Sequence, residues 1–131
     1  MDEVDLGIPK GILDSLPEDG ANAGKDMERA LEDYERRVNA AIRTAESDAE
    51  AASQVLNVID HLESRARTYD EFVPELRAWG QSPIYAIAWR NFCVSLIDQF
   101  YEHEELAARL DRERNARIVD DGIRLSDAYK D

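Results

Sequence analysis

Cysteine is almost absent: Cys93 is the only one in 131 residues. That excludes a disulfide framework within the chain and a cysteine-based zinc site. Lysine is nearly as scarce, with 3 (Lys10, Lys25 and Lys130) against 13 arginines. No apolar run reaches the roughly 18 residues that would span a bilayer. The first residues show no basic stretch followed by an apolar one, as a secretory signal would. A membrane partner is therefore not expected, and the expected location is the cytoplasm. Large apolar residues are thin as well: Leu, Ile, Val and Phe together make up 30 of the 131 positions. With high net charge, that is little above the level, about 20%, at which disorder becomes the default. A core is affordable but small.

What the chain does hold is acid. Asp and Glu number 29 against 16 Lys and Arg, for a net charge of −13. Abundant carboxylates, little Lys and 17 Ala together resemble the composition of proteins from salt-in halophiles, where carboxylates hold water and hydrated cations. At about 1 M salt the screening length falls to roughly 3 Å, so self-repulsion at such a charge is largely suppressed. An acidic mesophilic protein is the alternative. In either case the charge argues against direct nucleic-acid binding and against anionic membranes.

Three segments follow from the distribution of breakers. Residues 1–24 carry four of the six Gly and two of the four Pro, yet Val4, Leu6, Ile8, Ile12, Leu13 and Leu16 are threaded through them without a sustained period. The expectation is an extended N-terminal arm that docks on its own bundle or on a neighbouring subunit. Residues 25–119 read as an α-helical bundle of two to four helices, and residues 120–131 as a C-terminal tail beyond the breaker Asp120-Asp121-Gly122.

Within the bundle, residues 25–67 contain neither Gly nor Pro. Their apolar positions recur at alternating spacings of three and four: Leu31, Tyr34, Val38, Ala41, Ala45, then Ala52, Val55, Ile59 and Leu62, with Asp48 the one polar break. Such a heptad seam packs lengthwise on another helix. Ser47-Asp-Ala-Glu50 matches a capping box, so one long helix competes with a hairpin turning near Ser47. The repeat holds phase across the break and no Gly is at hand, which favours one continuous helix. Residues 68–80 then read as a connector with a short helix from Pro74 to Trp79, stopped by Gly80. Ser82-Pro83 opens a further helix that runs to Val119. Its first half is apolar on nearly every side, from Ile84 and Tyr85 through Trp89 and Phe92 to Phe100. That surplus calls for cover beyond one narrow helix, either a hairpin or other subunits.

Chemistry-bearing candidates are few. A helical di-iron site needs Glu-x-x-His, but Val58 and Phe100 stand three residues before His61 and His103. Cys93 lies in the most apolar stretch, where a thiol is ordinarily inert. No phosphate-binding glycine loop is present. No catalytic residue, metal or cofactor is expected. Arg109, Arg112 and Arg117 read either as a clamp for carboxylates of an acidic partner or as partners of nearby acids on their own helix. The expected interface residues are Ile8, Ile12 and Leu16 in the arm, Tyr85, Trp89, Phe92 and Phe100 on the aromatic helix, these three arginines, and Ile118 and Leu125 towards the C-terminus.

The bundle-plus-arm layout and the terminal stretch Arg114-Asn-Ala-Arg-Ile-Val-Asp-Asp-Gly-Ile-Arg-Leu125 resemble the small helical head–tail connector (adaptor) subunits of tailed viruses, which form rings below the portal. With this composition, the resemblance implies a virus of a halophilic archaeon, hence a virion in place of the cytoplasm as the location, and a C-terminal arm reaching into a neighbouring ring. The expected function is a non-enzymatic structural subunit, a homo-oligomer within a larger assembly. The alternative is a cellular coiled-coil regulator, dimeric through the seam at 31–66.

Overall fold

A computed structural model describes residues 2–9, 11–17 and 21–128, with the side chains of residues 21 and 120–128 outside that description. Four helices follow one another: α1 (Ala21–Thr44), α2 (Asp48–Ala78), α3 (Ile84–Glu102) and α4 (Glu104–Ala128). The protein is all-α, as the periodicity predicts.

The seam at 25–67 is a hairpin and not one helix. Ser47 adopts an extended conformation, and its Oγ accepts from the Glu50 amide at 3.1 Å. The Glu50 carboxylate accepts from the Glu46 amide, one residue before the cap, at 3.1 Å, so one free donor of the new helix and one of the turn before it are satisfied. No residue other than glycine takes a positive φ among those described, so the reversal needs no Gly. Tyr34 then lies beside His61, ring centroids 6.2 Å apart, as expected for antiparallel neighbours. Heptad phase could not reveal the turn, because both arms of a hairpin point the same columns inward.

Helix α2 also outlasts the expected connector. It runs through Pro74 to Ala78, with the proline on the exposed face, where the hydrogen bond it removes can be replaced by water. Its end is where Gly80 places it. Gly80 takes φ +71, its amide donates to Arg77 O at 3.1 Å, and Gln81 donates to Leu76 O at 2.8 Å. This is the Schellman pattern, which favours glycine at the left-handed position.

The helix expected to run from Ser82 to Val119 is two. His103 leaves helical geometry (φ −83, ψ 102), and α4 folds back so that Arg114 stands 5.9 Å above the Tyr101 ring. Asp120-Asp121-Gly122 does not break α4, which continues to Ala128. A lone Gly costs a helix only about 1 kcal/mol. The expected 120–131 tail is thus helical through 128, and its last three residues lie outside the described set.

Helix α2 is the centre of the packing. It contacts α1, α3 and α4, whereas α1 and α3 meet only slightly. The core gathers Met27, Tyr34 and Val38 of α1 with Val55, Leu56, Ile59 and Leu62 of α2, Phe92, Cys93, Leu96 and Phe100 of α3, and Leu106 and Leu110 of α4. The N-terminal segment completes it, inserting Val4, Leu6 and Ile12. The apolar surplus of α3 is therefore largely covered by its own chain.

Candidate interaction site

The N-terminal segment is extended, and apolar residues alternate along it: Val4 and Leu6 are buried and Ile8 half-buried, while Glu3, Asp5 and Gly7 face out. Side chains of α1 and α3 hold its main chain. The Val4 amide donates to Asn39 Oδ1 at 2.8 Å, and Asn39 Nδ2 donates to Val4 O at 2.9 Å. Gln99 repeats the arrangement on Gly7, accepting at 2.9 Å and donating at 2.6 Å. The Leu6 amide donates to Glu35 Oε2 at 2.8 Å, and Glu3 pairs with Arg43 at 2.7 Å. Each amide side chain offers one donor and one acceptor, as a neighbouring strand would. The expected arm is thus a strap lying in the slot between α1 and α3, and it does not project. Beyond it, a turn at residues 11–15 buries Ile12 and half-buries Leu16. Leu13 there comes so close that a Cβ on Gly24 would meet its Cδ2 at 3.3 Å.

The aromatic helix divides into core and surface. Phe92 and Phe100 are 0% exposed, so they are core residues and not the interface anchors expected from the sequence. Tyr85 and Trp89 do reach a surface. With Thr68, Tyr69, Phe72 and Ala86 they line an open apolar groove of about 260 Å³ at the tip of the α2–α3 hairpin. Tyr69, Phe72, Leu76 and Trp79 follow at spacings of three, four and three, one stripe along the end of α2. Phe72 is 45% exposed and Trp79 66%, which the expected connector at 68–80 obscured.

Behind the groove, Arg65 forms the wall's support. Its guanidinium donates to Tyr34 Oη at 3.2 Å and Tyr69 Oη at 2.8 Å, and lies within 6 Å of both the Tyr69 and Trp89 rings. Burial opposes its charge, but the two hydroxyls more than offset this and hold it above the ordinary arginine range. Trp89 is pinned between Tyr69, stacked at 6.2 Å, and Phe92, edge-on at 5.4 Å. Cys93 is buried here too; burial pushes its thiol up, against a smaller opposing effect of Arg65.

The arginine run is neither a free clamp nor a set of pairs along its own helix alone. Arg109 pairs with Asp48 at 3.3 Å and Arg114 with Glu63 at 3.5 Å, both across to α2. Arg117 binds Asp60 at 3.3 Å, the Ser53 carbonyl and hydroxyl at 3.1 and 2.9 Å, and Asn57 at 3.1 Å. One further pair, to Glu113 at 3.7 Å, lies within α4. These side chains staple α4 to α2, so Arg109 and Arg117 are engaged within the chain. Arg112 is exposed. Ile118 and Val119 are 62% and 58% exposed, and the Leu125 side chain lies outside the described residues. Among the described residues no helix is long and apolar enough to cross a membrane.

Fold and surfaces together define a small all-α bundle, closed by its own N-terminal strap and carrying an aromatic groove at one end. Over residues 1–127 the chain matches the model of a family of unknown function (DUF7971), and it belongs to that family. Neither the curated proteins nor the solved structures contain a match to it.

Proposed function

We propose that the protein is a non-enzymatic assembly subunit that associates with further copies of itself through the tip of the α2–α3 hairpin. The observation that carries this reading is the juxtaposition of a concave apolar groove with the exposed side chains of Phe72 and Trp79 on the same stripe. A patch with both a cavity and a projecting aromatic is self-complementary under a two-fold axis, with the Trp79 of each copy meeting the groove of the other. Tryptophan and tyrosine at the centre of such a patch are the residue types that dominate interface energetics. Elsewhere the chain is strongly acidic, and apolar exposure of this kind on a charged background marks association.

A place in a virion neck is the narrower form of this reading, supported by composition and by the layout of the sequence. It gains nothing from the N-terminal segment, which is folded against its own bundle through residue 9. High salt as the working environment is proposed on the same acid-to-lysine imbalance. Mass measurement by light scattering from low to molar salt tests the proposal. The expected result is an oligomer that Trp79→Ala and Tyr85→Glu convert to monomer with unchanged helical content. A monomeric parent at every concentration and salt would remove the proposal.

A further inference from the structure

We infer that the slot between α1 and α3 is a receptor for an extended chain, and that the segment it exchanges with is residues 2–9 of a second copy. All five hydrogen bonds that seat Val4, Leu6 and Gly7 join side chains of the slot to main-chain atoms of the strap, three donated by strap amides and two by the Asn39 and Gln99 side chains. Such bonds read an extended backbone and not a particular side chain, which is how an edge strand captures a peptide. Selectivity comes from two alternate apolar seats, filled by Val4 and Leu6, and from the Glu3–Arg43 pair. Gly7 contributes no requirement for its own residue type, since a Cβ there would meet nothing within 4 Å.

Because α1 and α3 meet only slightly, an empty slot would leave core side chains in water, so filled arrangements are favoured. The strap is joined to α1 through Gly11, at φ +92, and the turn that follows it. The same segment from another copy would make the same five hydrogen bonds and fill the same two seats. The closed and exchanged forms therefore differ only in the path of this connection, the condition under which segment swapping is cheap. Tethering gives the closed form an effective concentration of order millimolar, so exchange grows towards that concentration or wherever copies are already held together. It does not require the hairpin-tip contact.

Two full-length variants, Glu3→Cys and Arg43→Cys, test this; Cys93 stays in place, 1% exposed. They are mixed at several concentrations up to the solubility limit, incubated, treated with a short bis-maleimide and separated under denaturing conditions. The expected product is a covalent dimer containing one chain of each variant, rising at least tenfold across the series. A mixture of Glu3→Cys with Arg112→Cys should give none. The double variant Glu3→Cys/Arg43→Cys should close within one chain when dilute. Intrachain closure without any mixed dimer would overturn the exchange, and failure of the double variant to close on itself would overturn the slot.

Discussion

Asn39 is the buried polar side chain of the core, 9% exposed, and both ends of its amide are used on Val4. Truncating it to Ala removes two hydrogen bonds and leaves the Val4 N–H and C=O buried, since Val4 is 1% exposed. Each such orphan costs about 1–3 kcal/mol when water cannot reach it. If the strap stays seated, the two orphans together cost about 2–6 kcal/mol. The strap can also lift away, which rehydrates both groups and caps the penalty at the free energy of docking. That limit is itself set by two opposing amounts. Burying Val4 and Leu6 contributes roughly 1.5–3 kcal/mol each, and ordering each backbone residue costs about 1–2 kcal/mol. Without its hydrogen bonds the segment has no margin. Asn39→Ala should therefore lower Tm by roughly 10 °C, converting about 2–4 kcal/mol by the usual entropy of unfolding for this size. Hydrogen exchange at the Val4 and Leu6 amides should accelerate to the rate of an open segment. A variant melting within about 2 °C of the parent, with Val4 still protected, would refute the reasoning.

Other perturbations separate the remaining parts. Arg117→Ala should cost about 1–2 kcal/mol in urea unfolding, since one guanidinium serves Asp60, Ser53 and Asn57 while exposure and solvent screening limit each pair; Arg112→Ala should stay within about 0.5 kcal/mol. Ser47→Ala should remove about 1 kcal/mol by uncapping α2, visible as faster exchange at Glu50 and its neighbours. Burial raises the Cys93 thiol, and the Tyr101 hydroxyl likewise against the opposing Arg114, so the unfolded chain loses these protons first. Their contribution to stability is complete below the ordinary thiol range, about pH 8.5, and is lost as pH rises beyond it. Urea midpoints at pH 7 and pH 10 read this loss, and Cys93→Ala should shrink it. If the acid content is an adaptation to salt, the urea midpoint should rise between 0.1 and about 2 M KCl as the screening length shortens; a flat or falling midpoint would count against it.

Much of the helical framework was legible because it rests on local chemistry. Gly80 ends α2 where a left-handed residue is needed, and Ser47 with Glu50 carries its cap in four letters. The reversal at residues 45–47 is masked in the sequence because a heptad column survives folding back on itself. Pro74 misled for a different reason: its cost is local, while the packing of α2 on α3 that overrides it is tertiary. The arginines of α4 were visible as a run, but their acids lie on α2, more than fifty residues away in sequence. Asn39, Glu35 and Gln99 gave no signal at all. In the sequence Glu35 and Asn39 are ordinary polar residues of a charged helix and Gln99 one of few polar residues on an apolar one, and only the strap across them gives them a role. The all-round apolar pattern of α3 makes Tyr85, Trp89, Phe92 and Phe100 equal candidates for an interface, and only the placement of neighbouring helices tells the two pairs apart.

The span between Gly7 and Gln99 is 92 residues, and this has a consequence for the order of events during synthesis. The strap leaves the ribosome before the helices it docks on, and its receptor is incomplete until α3 has emerged and docked. A loop of that length adds a closure entropy that grows only as the logarithm of its size, yet the contact cannot form until synthesis has passed Gln99. The strap is thus made before its seat and placed after it, and until then Val4, Leu6 and the uncovered faces of α1 and α3 are open to any neighbour on the same polysome.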